Sequence, residues 1–186
     1  MLRIPSTLVL VVLLLVACGG EEPQESAPEP ADTEFVDDAR VLTNRLRVAL
    51  KSELSAALQE GGPVAAIEVC NLRAPEIAGE VSDTGGLEVG RVSRRNRNPA
   101  NAPGPTAAAV LAAFEARPAL DDTVVTIEGR RTYLRAIRID TPACLKCHGP
   151  EDELDPALRE RLDTLYPADA ATGFAEGDLR GAFVVR

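Results

Sequence analysis

Two thiols and an imidazole lie within five residues of this chain, at Cys144, Cys147 and His148. Two intervening residues let the thiols span the vinyl-bearing edge of a porphyrin and bond to it covalently. An imidazole directly after the second thiol can then ligate the iron from one face. The chain has only four cysteines and one histidine, so chance seldom produces this pattern. The spacing predicts the attachment site of a c-type haem.

Three other chemistries could use the same residues. A zinc site of Cys3His type would add Cys70 to the motif, but a Cys and a His adjacent in sequence rarely reach one tetrahedral metal. A thioredoxin-like redox pair would open a helix in a strand-helix-strand unit, whereas this pair is expected between a strand and Gly149. A plain disulfide would close a very small loop and stabilise little. Haem is the favoured interpretation.

The N-terminal segment has the pattern of an export signal. Arg3 gives a positive start, and the apolar run that follows over residues 8–16 is too short to span a bilayer. The run ends in Leu-Val-Ala before Cys18, which resembles the lipobox of bacterial lipoproteins, and Gly19 is typical of sorting to the outer membrane. We expect residues 1–17 to be removed and Cys18 to be acylated. The alternative is an ordinary signal peptide with an incidental cysteine.

Charge and composition describe the mature chain. It would carry 19 basic against 29 acidic residues, because the signal takes one of the 20 basic ones with it. An acidic surface argues against nucleic acid and against adhesion to anionic lipid, so the acyl group must attach the protein to the membrane. Residues 18–33 are acidic and Pro-rich and predict a solvated linker, and residues 34–186 fit one domain.

Helices are predicted from apolar periodicity. Apolar residues at three- and four-residue spacing over residues 35–58 indicate a long amphipathic helix that ends at Gly61 and Gly62. Pro63 can begin a second helix, which carries Cys70. Further helices are expected over residues 106–117 and after Asp155, each bounded by proline.

The predicted strands are short and closely spaced. They cover residues 87–92, 124–128, 131–139 and 181–185, and the middle two form a hairpin around Gly129 and Arg130. Crossover helices do not fit between such strands, so the sheet must be antiparallel with helices around it, an α+β domain. The third strand delivers the chain to the haem motif.

An arginine-rich loop over residues 94–105 is the densest cationic segment of the chain. Haem carries two propionates, and arginine is the natural bidentate partner of a carboxylate. We expect at least one of Arg91, Arg94, Arg95 and Arg97 to bind a propionate, with Arg97 as the candidate of choice. The alternative is a solvated loop.

Three separated motifs together resemble one family, the single-haem, PAS-like c-type cytochrome domains long catalogued as a domain of unknown function. The resemblance covers about residues 36–186 and rests on residues 66–70 with 74–78, 97–103, and 144–149 with 166–167 and 177–181. It implies a PAS-like antiparallel sheet with flanking helices and a sensor module of the kind often attached to membrane-signalling proteins. It also implicates Cys70 as the second axial ligand.

Elimination supports Cys70 independently. His148 is the only histidine, and the only methionine, Met1, is lost with the signal, so the usual sixth ligands of a c-type cytochrome are absent. Acylation and the two thioethers account for the other three cysteines. Lys or Tyr coordination and an open site remain alternatives, as does a packing role for Cys70.

The expected function follows from these residues. We expect a lipid-anchored, periplasm-facing haem protein that senses redox state or a small diatomic ligand, because a thiolate bond to iron favours the ferric state and weakens on reduction. The rival is simple electron transfer with a redox protein partner, favoured because the sequence ends at Arg186 with no kinase or chemoreceptor output. Enzymatic activity is not expected, since no second histidine is available as a distal acid-base group.

Overall fold

The computed structural model describes residues 30–186. Helix α1 covers Pro30–Glu68, and a single π-helical segment, Val69–Arg73, joins it to α2, Ala74–Gly85. After strand β1, Val89–Val92, come α3, Pro105–Ala116, and the strands β2, Asp122–Ile127, and β3, Arg130–Arg138. The chain ends in α4, Pro142–His148, α5, Pro156–Leu165, and β4, Leu179–Val185. This is the expected α+β class with a long N-terminal helix.

The long helix agrees with the predicted pair of helices. Gly62 interrupts α1 with φ 70° and ψ −163°, and Pro63 follows it, so the first helix stops and the second starts where the sequence indicated. The start differs from the expectation. Helix α1 begins at Pro30, inside the stretch predicted as linker, because proline suits the first turn, where no N–H is needed.

The sheet has four antiparallel strands in the order β1-β4-β3-β2. The β2-β3 hairpin turns at Glu128 and Gly129, one residue earlier than predicted. Both residues have positive φ, 51° and 76°, which is the backbone that a two-residue hairpin turn requires. Arg130 therefore begins β3 instead of belonging to the turn.

Each face of the sheet packs against different helices. On one face, Tyr133, Phe183 and Val185 contact an apolar cluster contributed by α1 and α2. On the other, Leu134 and Val184 contact α3. Because side chains alternate along a strand, neighbouring residues of β3 and β4 serve the two cores in turn.

Candidate cofactor site

The predicted attachment motif lies on α4. The sequence placed the motif between a strand and Gly149, and in the structure Pro142 begins a short helix there that ends at His148. A Cβ at Gly149 would lie 2.6 Å from the Leu145 carbonyl oxygen, so glycine alone fits the close approach at the helix end. The motif therefore lies on a helix, as a redox pair would. The antiparallel sheet still departs from the strand-helix-strand unit of that alternative.

Two small apolar clusters hold α4 in place. Cys147 packs against Ile67 and the α5 leucines Leu158 and Leu162, and Cys144 packs against the cluster of Ile139 and Phe174. The two thiols are thus anchored by different parts of the chain, and both still reach one cavity. The rest of the fold thereby fixes the orientation of the motif.

His148 is oriented by the segment that follows α5. Its Nδ1 lies 2.7 Å from the Ala171 carbonyl oxygen, and since a carbonyl can only accept, Nδ1 carries the proton. The Phe174 N–H donates to the His148 carbonyl oxygen at 2.9 Å, which ties the same segment to the helix end. Most metal-binding imidazoles are oriented by a hydrogen bond from the ring nitrogen that does not bind the metal, as Nδ1 donates here. Nε2 is left with its lone pair.

The electrostatics of the site keep His148 neutral. Burial lowers its pKa well below 6.5, and the positive charges of Arg180 and Arg97 lower it further. A neutral imidazole is the form that coordinates a metal. Burial also raises the pKa of the Cys147 thiol to about 11, and Cys70 adds to that shift.

A cavity of about 400 Å³ connects the predicted residues. It lies between α1 and the face of the sheet that carries Ile137 and Phe183, and Cys144, Cys147 and His148 form part of its wall. Leu50, Leu54 and Leu58 of α1 line it as well. Its volume is within the range of about 300–1,000 Å³ usual for cofactor sites. The residues that the sequence singled out for haem attachment therefore share one apolar cavity.

Cys70 lines the same cavity from a different element. It lies in the π-helical segment, and insertions of this type are frequent at functional sites because they re-aim a side chain. The thiol is partly buried against the cluster that also holds Cys147. The structure thus brings Cys70 to the wall of the cavity that His148 lines, as an axial role requires.

Arg97 is placed differently from the expectation. It is 6% exposed but does not line the cavity. Its Nε donates to the Asp169 carboxylate at 2.8 Å and its Nη2 to the Cys147 carbonyl oxygen at 2.7 Å. This geometry favours a positioning role for Arg97, which fixes the end of α4, over the propionate contact that the sequence suggested. The loop arginines Arg94 and Arg95 bind Glu115 and the carbonyl of Thr172 instead.

The zinc and disulfide alternatives find no support in the described part of the chain. Within residues 30–186 no group of three or more His, Cys, Asp or Glu side chains is close enough to hold a metal ion. Cys70, Cys144 and Cys147 are each free of a disulfide. One imidazole and one thiol at a cavity wall, with two more thiols beside them, fit an iron porphyrin better than a closed tetrahedral site.

The membrane attachment predicted at Cys18 lies outside the described residues, as do the signal segment 1–17 and most of the linker 18–33. Among residues 30–186 no helix combines the length and the apolar character needed to cross a bilayer.

Comparison with known proteins places the chain in a family. The sequence profile of the Tll0287-like family matches residues 25–186. The chain belongs to the Tll0287-like family. The crystal structure of the cyanobacterial heme-protein Tll0287 superposes on it with a TM-score of 0.61 and 27% sequence identity, over 86% of this chain and 95% of that one. No curated protein matches. The resemblance to a haem-protein family inferred from the sequence is confirmed.

Two residues of this Tll0287-like chain escaped the sequence analysis. Ala171 supplies the carbonyl that orients His148, and a backbone contact of this kind leaves no trace in residue type. Arg180 lines the cavity from β4. A signal for it existed, because Arg180 lies within residues 177–181, one of the segments that carry the family resemblance.

Proposed function

We propose that this protein is a c-type haem protein, tethered to the membrane through acylated Cys18 and facing the periplasm, that senses redox state or a small diatomic ligand. The environment of His148 is the observation that supports haem binding. Its Nδ1 donates to the Ala171 carbonyl oxygen, its Nε2 has no partner among residues 30–186, and the thiols of Cys144 and Cys147 line the same cavity. The cyanobacterial heme-protein that shares the fold supports the same cofactor.

Each residue then has a defined part. Cys144 and Cys147 would form the two thioethers, His148 would ligate the iron through Nε2, and Cys70 would supply the second axial ligand. When bound, the haem supplies a one-electron couple and an iron site for small ligands. The leucines of α1 give one side of the cavity an apolar lining, which lowers the local dielectric constant and strengthens electrostatic interactions there.

Cys70 is the basis for sensing. A thiolate donates charge and binds ferric iron more strongly than ferrous iron, so reduction favours its release. Release would open the position to a diatomic ligand. In this proposal the protein is not an enzyme, because His148 is the only histidine and no second imidazole can serve as an acid-base group.

The membrane anchor rests on the sequence alone. The residues that precede Cys18 fit a lipobox, and Gly19 favours the outer membrane. Substitution Cys18→Ser should release the protein from membranes without changing its optical spectrum. A wild-type protein that is soluble in the periplasm with an unmodified N-terminus would contradict the anchor.

Spectra of the purified holoprotein test the function. We expect a ferric spectrum with a thiolate ligand, a ferrous spectrum without it, and binding of carbon monoxide to the ferrous protein. Fast electron exchange with soluble cytochromes and no ligand binding in either state would favour electron transfer instead. A protein purified without haem would end the proposal.

A further inference from the structure

Two arginines of the cavity wall have no carboxylate of their own. Arg91 on β1 and Arg180 on β4 both line the cavity. Arg91 pairs in register with Phe183, whose side chain belongs to the α1 side of the sheet, so Arg91 points to the same side. Across the described residues, no ion pair involves either guanidinium. The two positive charges thus face the cavity without a partner of opposite sign.

Hydrogen bonding leaves Arg180 incomplete. Its Nη1 donates to Ser93 Oγ at 3.0 Å and to the Arg95 carbonyl oxygen at 3.1 Å, which holds the guanidinium in place. Its Nε is buried and has no partner in the described part of the chain. A buried donor without a partner is costly, and a buried charge without one costs more.

The other cations of the wall have partners elsewhere, and Arg47, which is exposed, donates to the Asn44 side chain. Lys51 pairs with Asp140 at 2.8 Å. Arg135 lowers the pKa of Asp122, which shows that a carboxylate lies near it. Arg138 donates to the carbonyl oxygens of Phe114 and Pro118, on the α3 side of the sheet. Asp169, whose charge raises the pKa of Arg180, already forms an ion pair with Arg97 at 2.8 Å. Arg138 also has a buried Nε without a partner among the described residues. Arg91 and Arg180 differ from it in lying close enough together for the charge of Arg91 to lower the pKa of Arg180.

The pKa of Arg180 reflects its burial and electrostatic repulsion between Arg180 and the neighbouring arginines. Burial and the neighbouring charges of Arg97 and Arg91 lower the pKa of Arg180 to about 10, and burial lowers the pKa of Arg91 as well. Two partly buried cations side by side favour a ligand that carries two negative charges.

We propose that Arg91 and Arg180 bind the two propionate carboxylates of the haem. The inference rests on the proposed function and assigns the carboxylate-binding end of its cavity. Guanidinium N–H groups form short, charge-assisted hydrogen bonds with carboxylates, and the free Nε of Arg180 supplies one donor of a bidentate pair. The ligand thereby provides the counter-charge that the fold omits.

Resonance Raman spectra of purified ferrous holoprotein test this assignment, because the propionate bending band shifts with hydrogen bonding to the carboxylates. Arg180→Gln and Arg91→Gln should each move the band to lower frequency. Arg94→Gln is the control, since Arg94 pairs with Glu115 at the surface and does not line the cavity, and it should leave the band in place.

The midpoint potential gives a second readout. In Arg180→Gln it should gain a pH dependence near neutrality that the wild type lacks, because a propionate without its cation takes up a proton more readily. If Arg180→Gln does not mature, Arg180→Lys keeps the charge without the planar fork and should still shift the band. An unchanged band in both the Arg180 and the Arg91 variants overturns the assignment. Absence of haem from the wild type would instead contradict the proposed function.

Discussion

The two faces of the sheet are built on the same strands and differ in what they enclose. The α3 face encloses a filled apolar core, with Phe114 fully buried among Leu134, Ala182 and Val184. The α1 face begins in the same way, around Tyr133 and Val185, but continues into a cavity whose wall includes arginines and thiols. One face is therefore a completed core, and the other is a core that a ligand would complete.

The difference separates stability from function. A partly buried cation such as Arg180, whose Nε is buried with no partner among the described residues, raises the free energy of the fold unless a ligand compensates it, so it is not explained by packing. Substitutions on the α3 face should change the free energy of unfolding and leave the haem spectrum alone. Substitutions on the cavity wall should change the haem spectrum and leave the free energy of unfolding nearly unchanged.

The largest stability effect is expected from Phe114→Ala. The side chain is fully buried, and truncation of such a residue leaves a cavity and costs about 3–5 kcal/mol. Denaturant unfolding of the holoprotein measures this. Val41→Ala, at a position 50% exposed on α1, is the control and should change little. An altered haem spectrum in Phe114→Ala would break the distinction between the faces.

Asp169→Asn should have the next largest effect. It leaves the buried Arg97 guanidinium without its carboxylate, and breaking a buried pair costs about 3 kcal/mol or more. Because Arg97 also holds the Cys147 carbonyl, the yield of holoprotein should fall too. The matched control is Glu115→Gln, which removes an exposed pair worth about 0–1 kcal/mol. Equal stability of the two variants would exclude a positioning role for Arg97.

A smaller effect is expected from Tyr133→Phe. The phenol donates to Asp122 at 2.8 Å, and loss of this hydrogen bond costs about 1 kcal/mol. Burial and the bond to Asp122 raise the pKa of Tyr133 to about 12, whereas an unfolded tyrosine titrates near 10. The unfolded state therefore loses its proton first, and stability should fall as pH rises from about 10 to about 12. The phenylalanine variant should lack this component of the alkaline decline.

The smallest stability effect is expected from Cys70→Ala. Because Cys70 is only partly buried, its truncation should lower the free energy of unfolding by about 1 kcal/mol or less. Its spectral effect should be the largest of the series. Electron paramagnetic resonance of the ferric protein should change from low spin as water or another ligand takes the position, while the covalent attachment survives. Identical low-spin spectra in the variant and the wild type would make Cys70 a packing residue.

Local signals in the sequence predicted much of the fold. The break at Gly62 and Pro63, the hairpin and the helix after Asp155 each depend on residues close together in the chain. The attachment motif was equally local. Its helical form was not predicted, although proline is favoured at the first position of a helix and Pro142 begins α4.

Long-range partners could not be predicted in the same way. The pairing of Arg97 with Asp169 joins residues 72 positions apart, and nothing in the arginine-rich loop indicates which of its arginines turns inward. The cavity position of Cys70 depends on a π-helical segment whose extra residue has no sequence signature. Only the packing of several elements decides these contacts.

The mass of the purified protein after denaturation tests the central claim most directly. Thioethers at Cys144 and Cys147 would keep one haem on the polypeptide through acid-acetone extraction, and the intact mass should exceed that of the lipidated mature chain by one haem. Changing either cysteine to serine should leave at most one covalent link and shift the pyridine haemochrome band. Complete extraction of the haem from the wild type, or purification with zinc in its place, would contradict the account.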